Sequence, residues 1–96
     1  MRLTQPTDFD ILVALDEHGR NIAANLALHI DRDRAYLNTR LPHLSDHGLV
    51  RKVGPATNSG LYELTERGRA AIVYRDSYEE FGPDRFETVV NDAVKS

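Results

Sequence analysis

Apolar residues fall at helical spacing in five places along this chain and at strand spacing in two. Phe9, Leu12, Val13 and Leu15 form the first stripe. Thr7 stands before it as an N-cap, Asp8 and Asp10 sit in the first turn, and Gly19 follows as the stop. Arg20-Asn21-Ile22 reads as a short extended link, one rung of a small sheet. A second helix over 23–30 buries Ala24, Leu26, Ala27 and Ile30, with small alanines that permit a close crossing. Asp31-Arg32-Asp33 is the turn, and one of its aspartates caps a third helix.

In that third helix Leu37, Leu41 and Leu44 stand at i, i+4 and i+7 and define the core side. Ala35, Tyr36, Thr39, Arg40, His43 and Asp46 occupy the other side, and Pro42 interrupts the amide ladder. Gly48 supplies the left-handed residue that ends the helix. Strands over 49–53 and 61–64 flank a polar tip, Gly54-Pro55-Ala56-Thr57-Asn58-Ser59-Gly60, too long for a two-residue turn. Thr65 caps a fourth helix carrying Ala70, Ala71, Ile72 and Tyr74. The segment DSYEEFGP then reads as an acidic linker. Phe86, Val89, Val90, Ala93 and Val94 close the chain as an amphipathic helix.

Helix, glycine, hairpin with a long polar tip, capped helix: this order is the second half of a winged helix-turn-helix. The expected fold is α+β, mainly α, with a three-helix core, a two-stranded wing and further C-terminal helices. Residues 1–75 form the winged domain. Residues 76–96 form an acidic linker and a helix whose unpartnered stripe is expected to build a homodimer, the alternative being a fold-back onto the first helix.

Composition narrows the chemistry. Ninety-six residues with 41% hydrophobic content suit one small domain. The absence of cysteine excludes disulfides, thiolate nucleophiles and cysteine-based zinc sites. No apolar run approaches the roughly 20 residues of a membrane span. The N-terminal stretch lacks the pattern of a signal peptide, so a cytoplasmic protein without membrane association is expected. No glycine-rich phosphate loop or nucleophile elbow is present, and neither an enzyme nor a cofactor is expected. His43 and His47 lie four apart on the third helix. Two ligands do not close a site, and no metal is expected.

The formal net charge is −3, but its distribution is uneven. Residues 1–75 carry ten Lys/Arg against nine Asp/Glu, and residues 76–96 carry two against six. Within 32–52, Arg32, Arg34, Arg40, Arg51 and Lys52 face only Asp33 and Asp46. A local basic patch of this kind suits phosphate contact better than whole-chain charge suggests. The candidate DNA-binding residues are Arg34, Tyr36, Asn38, Thr39, Arg40 and His43 on the third helix. Lys52, Thr57, Asn58 and Ser59 join them from the wing.

The segment HGLVRKVG…GLYELTERGR resembles the winged helix-turn-helix transcription regulators. The longer stretch from GRNIAANLA through AYLNTRLPHLSDHGLVRKVGPATNSGLYELTERG is similar to small haloarchaeal winged-helix proteins related to a phage repressor. The resemblance covers residues 8–75. It implies an archaeal, repressor-like regulator that binds double-stranded DNA through its third helix and wing. Operator, effector and sign of regulation are not implied. The competing class is a winged-helix protein-interaction module without direct DNA contact.

Overall fold

A computed structural model describes residues 1–54 and 60–95 of the chain. Its described elements are α1 (Thr7–His18), β1 (Asn21–Ile22), α2 (Ala23–Ile30), α3 (Arg34–Asp46), β2 (Val50–Lys52), β3 (Leu61–Leu64), α4 (Glu66–Val73), α5 (Arg75–Phe81) and α6 (Pro83–Lys95). The fold is α+β and mainly helical, with a small antiparallel sheet ordered β1-β3-β2. Its element order is compatible with a winged-helix layout. No helix among the described residues is long and apolar enough to cross a membrane.

α1 is the hub. Phe9, Ile11, Leu12, Ala14 and Leu15 are all buried, whereas Val13 is only half-buried. The expected single stripe therefore understates α1, which is wrapped by α2, α4 and the C-terminal helices on more than one side. Its start also differs from expectation. Pro6 holds the capping position without a side-chain bond, and Thr7 is drawn into the first turn and buried. Asp8 instead ties the segment before the helix to its first turn, its Oδ2 accepting the Thr4 amide at 2.7 Å while its own amide donates to the Thr4 carbonyl at 2.8 Å.

α2 spans the expected residues and meets α3 across a turn in which Asp31 adopts φ 55°. Asp33 caps α3, its Oδ1 accepting the Ala35 amide at 3.1 Å. Leu37, Leu41 and Leu44 are fully buried, as their spacing requires, and α3 runs on through Pro42 to Asp46. Gly48, at φ 75°, then turns the chain into β2.

In the sheet, β2 and β3 pair in the register Val50↔Leu64, Arg51↔Glu63 and Lys52↔Tyr62. β1 pairs on the other edge of β3 through Asn21↔Tyr62 and Ile22↔Leu61, which makes the extended link a rung of the sheet as expected. The joint between β3 and α4 explains the Leu-Thr-x-x-Gly sequence. Thr65 Oγ1 accepts the Gly68 amide at 3.0 Å and donates to the Gly48 carbonyl at 2.6 Å, so one hydroxyl caps α4 and ties it to the end of α3. At Gly68 a Cβ would lie 2.2 Å from the Leu49 carbonyl oxygen and 2.5 Å from Leu64 Cδ1. Only glycine lets α4 approach that closely.

The C-terminal segment corrects the expectation most. Residues 75–81 are helical (α5) rather than a linker. The Tyr78 hydroxyl accepts the Leu3 amide and donates to the Leu3 carbonyl, both at 2.9 Å. Phe9, Tyr78 and Phe86 stack edge to face, with centroids 5.2–5.8 Å apart. Phe86 and Val90 of α6 are fully buried in the same core as α1, and Val89, Ala93 and Val94 are half-buried. Residues 76–95 are thus an integral layer of one domain. The stripe expected to demand a second subunit is largely covered by its own chain.

Candidate nucleic-acid interface

The leucine face of α3 is anchored against the core, which fixes the direction of everything else on that helix. The outward residues divide into two flanks. Arg34 and Asn38 face the start of α2 and the strands β2 and β3, with Ala35, Thr39 and Pro42 exposed beside them. Arg40, His43 and His47 lie on the opposite flank, against the N-terminal segment. Tyr36 is partly exposed at the margin.

On the first flank, Arg34 and Asn38 join Ile22, Ala23 and Ala24 at the start of α2 and Lys52, Gly60 and Tyr62 at β2 and β3 around an open depression of about 430 Å³. Arg34 is exposed and has no ion-pair partner among the described residues. The Lys52 ammonium lies 5.9 Å from the centre of the Tyr62 ring. Burial pushes the Tyr62 hydroxyl above its ordinary pKa, so it stays protonated at neutral pH. Thr39 Oγ1 donates to the Tyr36 carbonyl at 2.6 Å, which leaves the oxygen to face solvent as an acceptor.

The second flank departs from expectation at two residues. Arg40 forks onto Asp8 through Nε–H to Oδ1 at 2.9 Å and Nη2–H to Oδ2 at 2.7 Å. Asp8 is fully buried and the Arg40 side chain is 18% exposed, so this arginine is committed to joining α3 to α1 rather than to an outside ligand. Hydrogen bonding to Asp8 raises its pKa further. His43 Nε2 lies 3.1 Å from the Arg2 carbonyl and 3.2 Å from His47 Nε2, away from the depression.

The remaining patch cations are also engaged. Arg51 pairs with Glu63 at 2.5 Å, and Arg20 shares that carboxylate at 3.4 Å. Arg32 reaches Asp10 at 3.4 Å and the Ile30 carbonyl at 3.0 Å. Among the described residues Arg32, Arg40 and Arg51 therefore have internal carboxylate partners, and Arg34 and Lys52 line the depression. Thr57, Asn58 and Ser59 lie outside the described residues. Sequence reasoning missed Ile22, Ala23, Ala24 and Tyr62 as walls of the depression. The rung at 21–22 was the available signal, because pairing with β3 places the start of α2 beside the wing.

Comparison with protein-family models, with curated proteins and with solved structures finds no match to this chain.

Proposed function

We propose that this chain is a repressor-like, sequence-specific DNA-binding transcription regulator of winged-helix architecture, working in the cytoplasm without a cofactor. The observation that carries the proposal is the first flank of α3. A rigidly backed helix presents Arg34, Asn38 and Thr39 beside a two-stranded wing bearing Lys52, with an open depression between them. A helix of this exposure fits the major groove, where arginine reads guanine and asparagine reads adenine. The wing strand then lies toward the backbone and meets it through Lys52. A second copy on a two-fold operator would place two such helices about 34 Å apart.

Fluorescence anisotropy with duplex DNA from the gene's own locus, across a salt series, tests this reading. With Lys52 as the phosphate contact and Arg34 on a base edge, a log–log slope of about −1 per chain is expected, from roughly 0.9 per phosphate. Arg34→Ala and Asn38→Ala should each weaken specific binding by about 1–3 kcal/mol while leaving the melting temperature unchanged. A slope of zero with no specific site refutes DNA contact. The competing reading, a protein-interaction module, gains support from the three internally paired cations and from Leu28 and Val73, exposed at 82% and 72%. That reading requires the zero slope.

A further inference from the structure

The geometry points to a divalent transition-metal site at His43 and His47, on the flank of α3 turned away from the depression. Residues four apart on a helix share one face, and a pair of imidazoles at that spacing is a recurrent way to hold zinc. Here the two Nε2 atoms stand 3.2 Å apart, with the rings at 88°. An ion 2.0–2.1 Å from both nitrogens would subtend an N–metal–N angle of about 100°, close to tetrahedral. The side chains thus bring the two donors within chelating reach, and the rings turn to aim both lone pairs at one ion.

The protons can be followed. The Arg2 carbonyl only accepts, so His43 Nε2 carries the proton shared with that oxygen. With that nitrogen protonated, His47 Nε2 at 3.2 Å can pair with it only as an acceptor, through a lone pair. Metal binding moves the His43 proton to Nδ1, keeps both imidazoles neutral and releases Arg2 O to water. Burial, then the neighbouring His43, holds His47 below the ordinary histidine pKa, which favours a free lone pair at neutral pH. Formal charges of both signs lie close to His47. Glu87 favours a cation there, while Arg67 opposes it with a guanidinium that donates to the His47 carbonyl at 2.9 Å and to Asn91 Oδ1. The N-terminal ammonium also opposes it.

Among the described residues no group of three His, Cys, Asp or Glu converges for a metal. Water must complete the sphere, which makes the site exchangeable and selective for metals that favour imidazole, such as zinc, nickel and copper over magnesium or calcium. The other histidine pair, His18 and His29, is stacked at 3.7 Å with an interplanar angle of 9°. Stacked rings direct their nitrogens side by side rather than onto one point, so that pair serves as the internal control. The site does not depend on the DNA-binding reading.

The test is calorimetric titration of the untagged full chain with zinc chloride and with nickel chloride at pH 7.5. One ion per chain should bind in the submillimolar range, with no response to magnesium. His43→Gln and His47→Gln should each weaken zinc binding at least tenfold, whereas His18→Gln/His29→Gln should leave it unchanged. Long-range proton–nitrogen spectra of the unsubstituted protein with zinc supply a readout that does not depend on variant folding. They should show Nε2 of His43 and His47 shifting together. Absence of zinc and nickel binding below millimolar overturns the inference, as does binding that survives His43→Gln/His47→Gln or is lost in the His18/His29 variant.

Discussion

Replacing Arg40 with alanine would strand a carboxylate in the core. Asp8 is fully buried, and its oxygens accept from Arg40 Nε, Arg40 Nη2 and the Thr4 amide. Without the guanidinium one backbone N–H remains, and an ionised group loses both its counter-charge and two charge-assisted hydrogen bonds. Breaking a buried ion pair from one side typically costs about 3–5 kcal/mol. The lower end applies here, because the Arg40 side chain is 18% exposed and water can enter from its side. A loss of about 3 kcal/mol lowers the melting temperature of a domain this size by roughly 12–24 °C. From the sequence, Arg40→Ala is expected to weaken DNA binding while sparing the fold, and the ion pair reverses that order.

Urea melts of the parent, Arg40→Ala, Asp8→Ala and the double variant close a thermodynamic cycle. Asp8→Ala should cost less than Arg40→Ala, because a freed arginine can swing into water and a freed buried carboxylate cannot. The coupling between the two positions should be about 1.5–3 kcal/mol. An Arg40→Ala variant within about 0.5 kcal/mol of the parent would place it among ordinary surface substitutions and refute the argument. A coupling near zero with two large single effects would show that packing, and not the ion pair, joins α1 to α3 there.

Three further outcomes follow from the packing and the charges. Gly68→Ala should destabilise by about 2 kcal/mol or more, although alanine is the better helix former by roughly 1 kcal/mol, because its methyl would meet the Leu49 carbonyl at 2.2 Å; an unchanged melt would mean that α4 can back away from the sheet. Phe86→Ala should cost about 3–5 kcal/mol, and a chain ending at Arg75 should lose its cooperative melt rather than merely dissociate, since Tyr78, Phe86 and Val90 leave the core together; a well-folded truncated chain in sedimentation and melting would return residues 76–95 to a separate role. His47 takes up its proton at lower pH in the folded chain than near 6.5 in the unfolded one, so its contribution is complete above about pH 6.5 and is lost as pH falls. The parent should therefore lose more melting temperature than His47→Gln between pH 7.5 and 5, and equal losses would remove His47 as a source of acid sensitivity.

The parts of this molecule legible in its sequence are those decided by local chemistry. Leu37, Leu41 and Leu44, the Asp33 and Thr65 caps, the turn at Gly48 and the two wing strands all depend on neighbours within a few residues, and each is where its spacing puts it. What was not legible is decided at long range. The sequence offers Arg40 and Arg34 as equal cations on one polar face, but the α1–α3 crossing brings a carboxylate 32 residues away against the first and none against the second. α5 escapes a reading of the sequence for the same reason. DSYEEF looks like solvated linker until Tyr78 meets Leu3 across 75 residues of chain, and the acids on its outer face are simply the wet side of a helix. The difference bears directly on the proposed DNA-binding surface. The apolar pattern oriented α3 correctly from sequence alone, yet which of its polar residues face outward unencumbered depends on partners that periodicity cannot reveal. Of the seven candidates among the described residues, Arg40 is drawn onto Asp8 and His43 onto the Arg2 carbonyl, whereas Arg34, Asn38 and Lys52 line one depression and Tyr36 and Thr39 are exposed on the same helix. That smaller set is the one whose substitution can test DNA binding without also testing the fold.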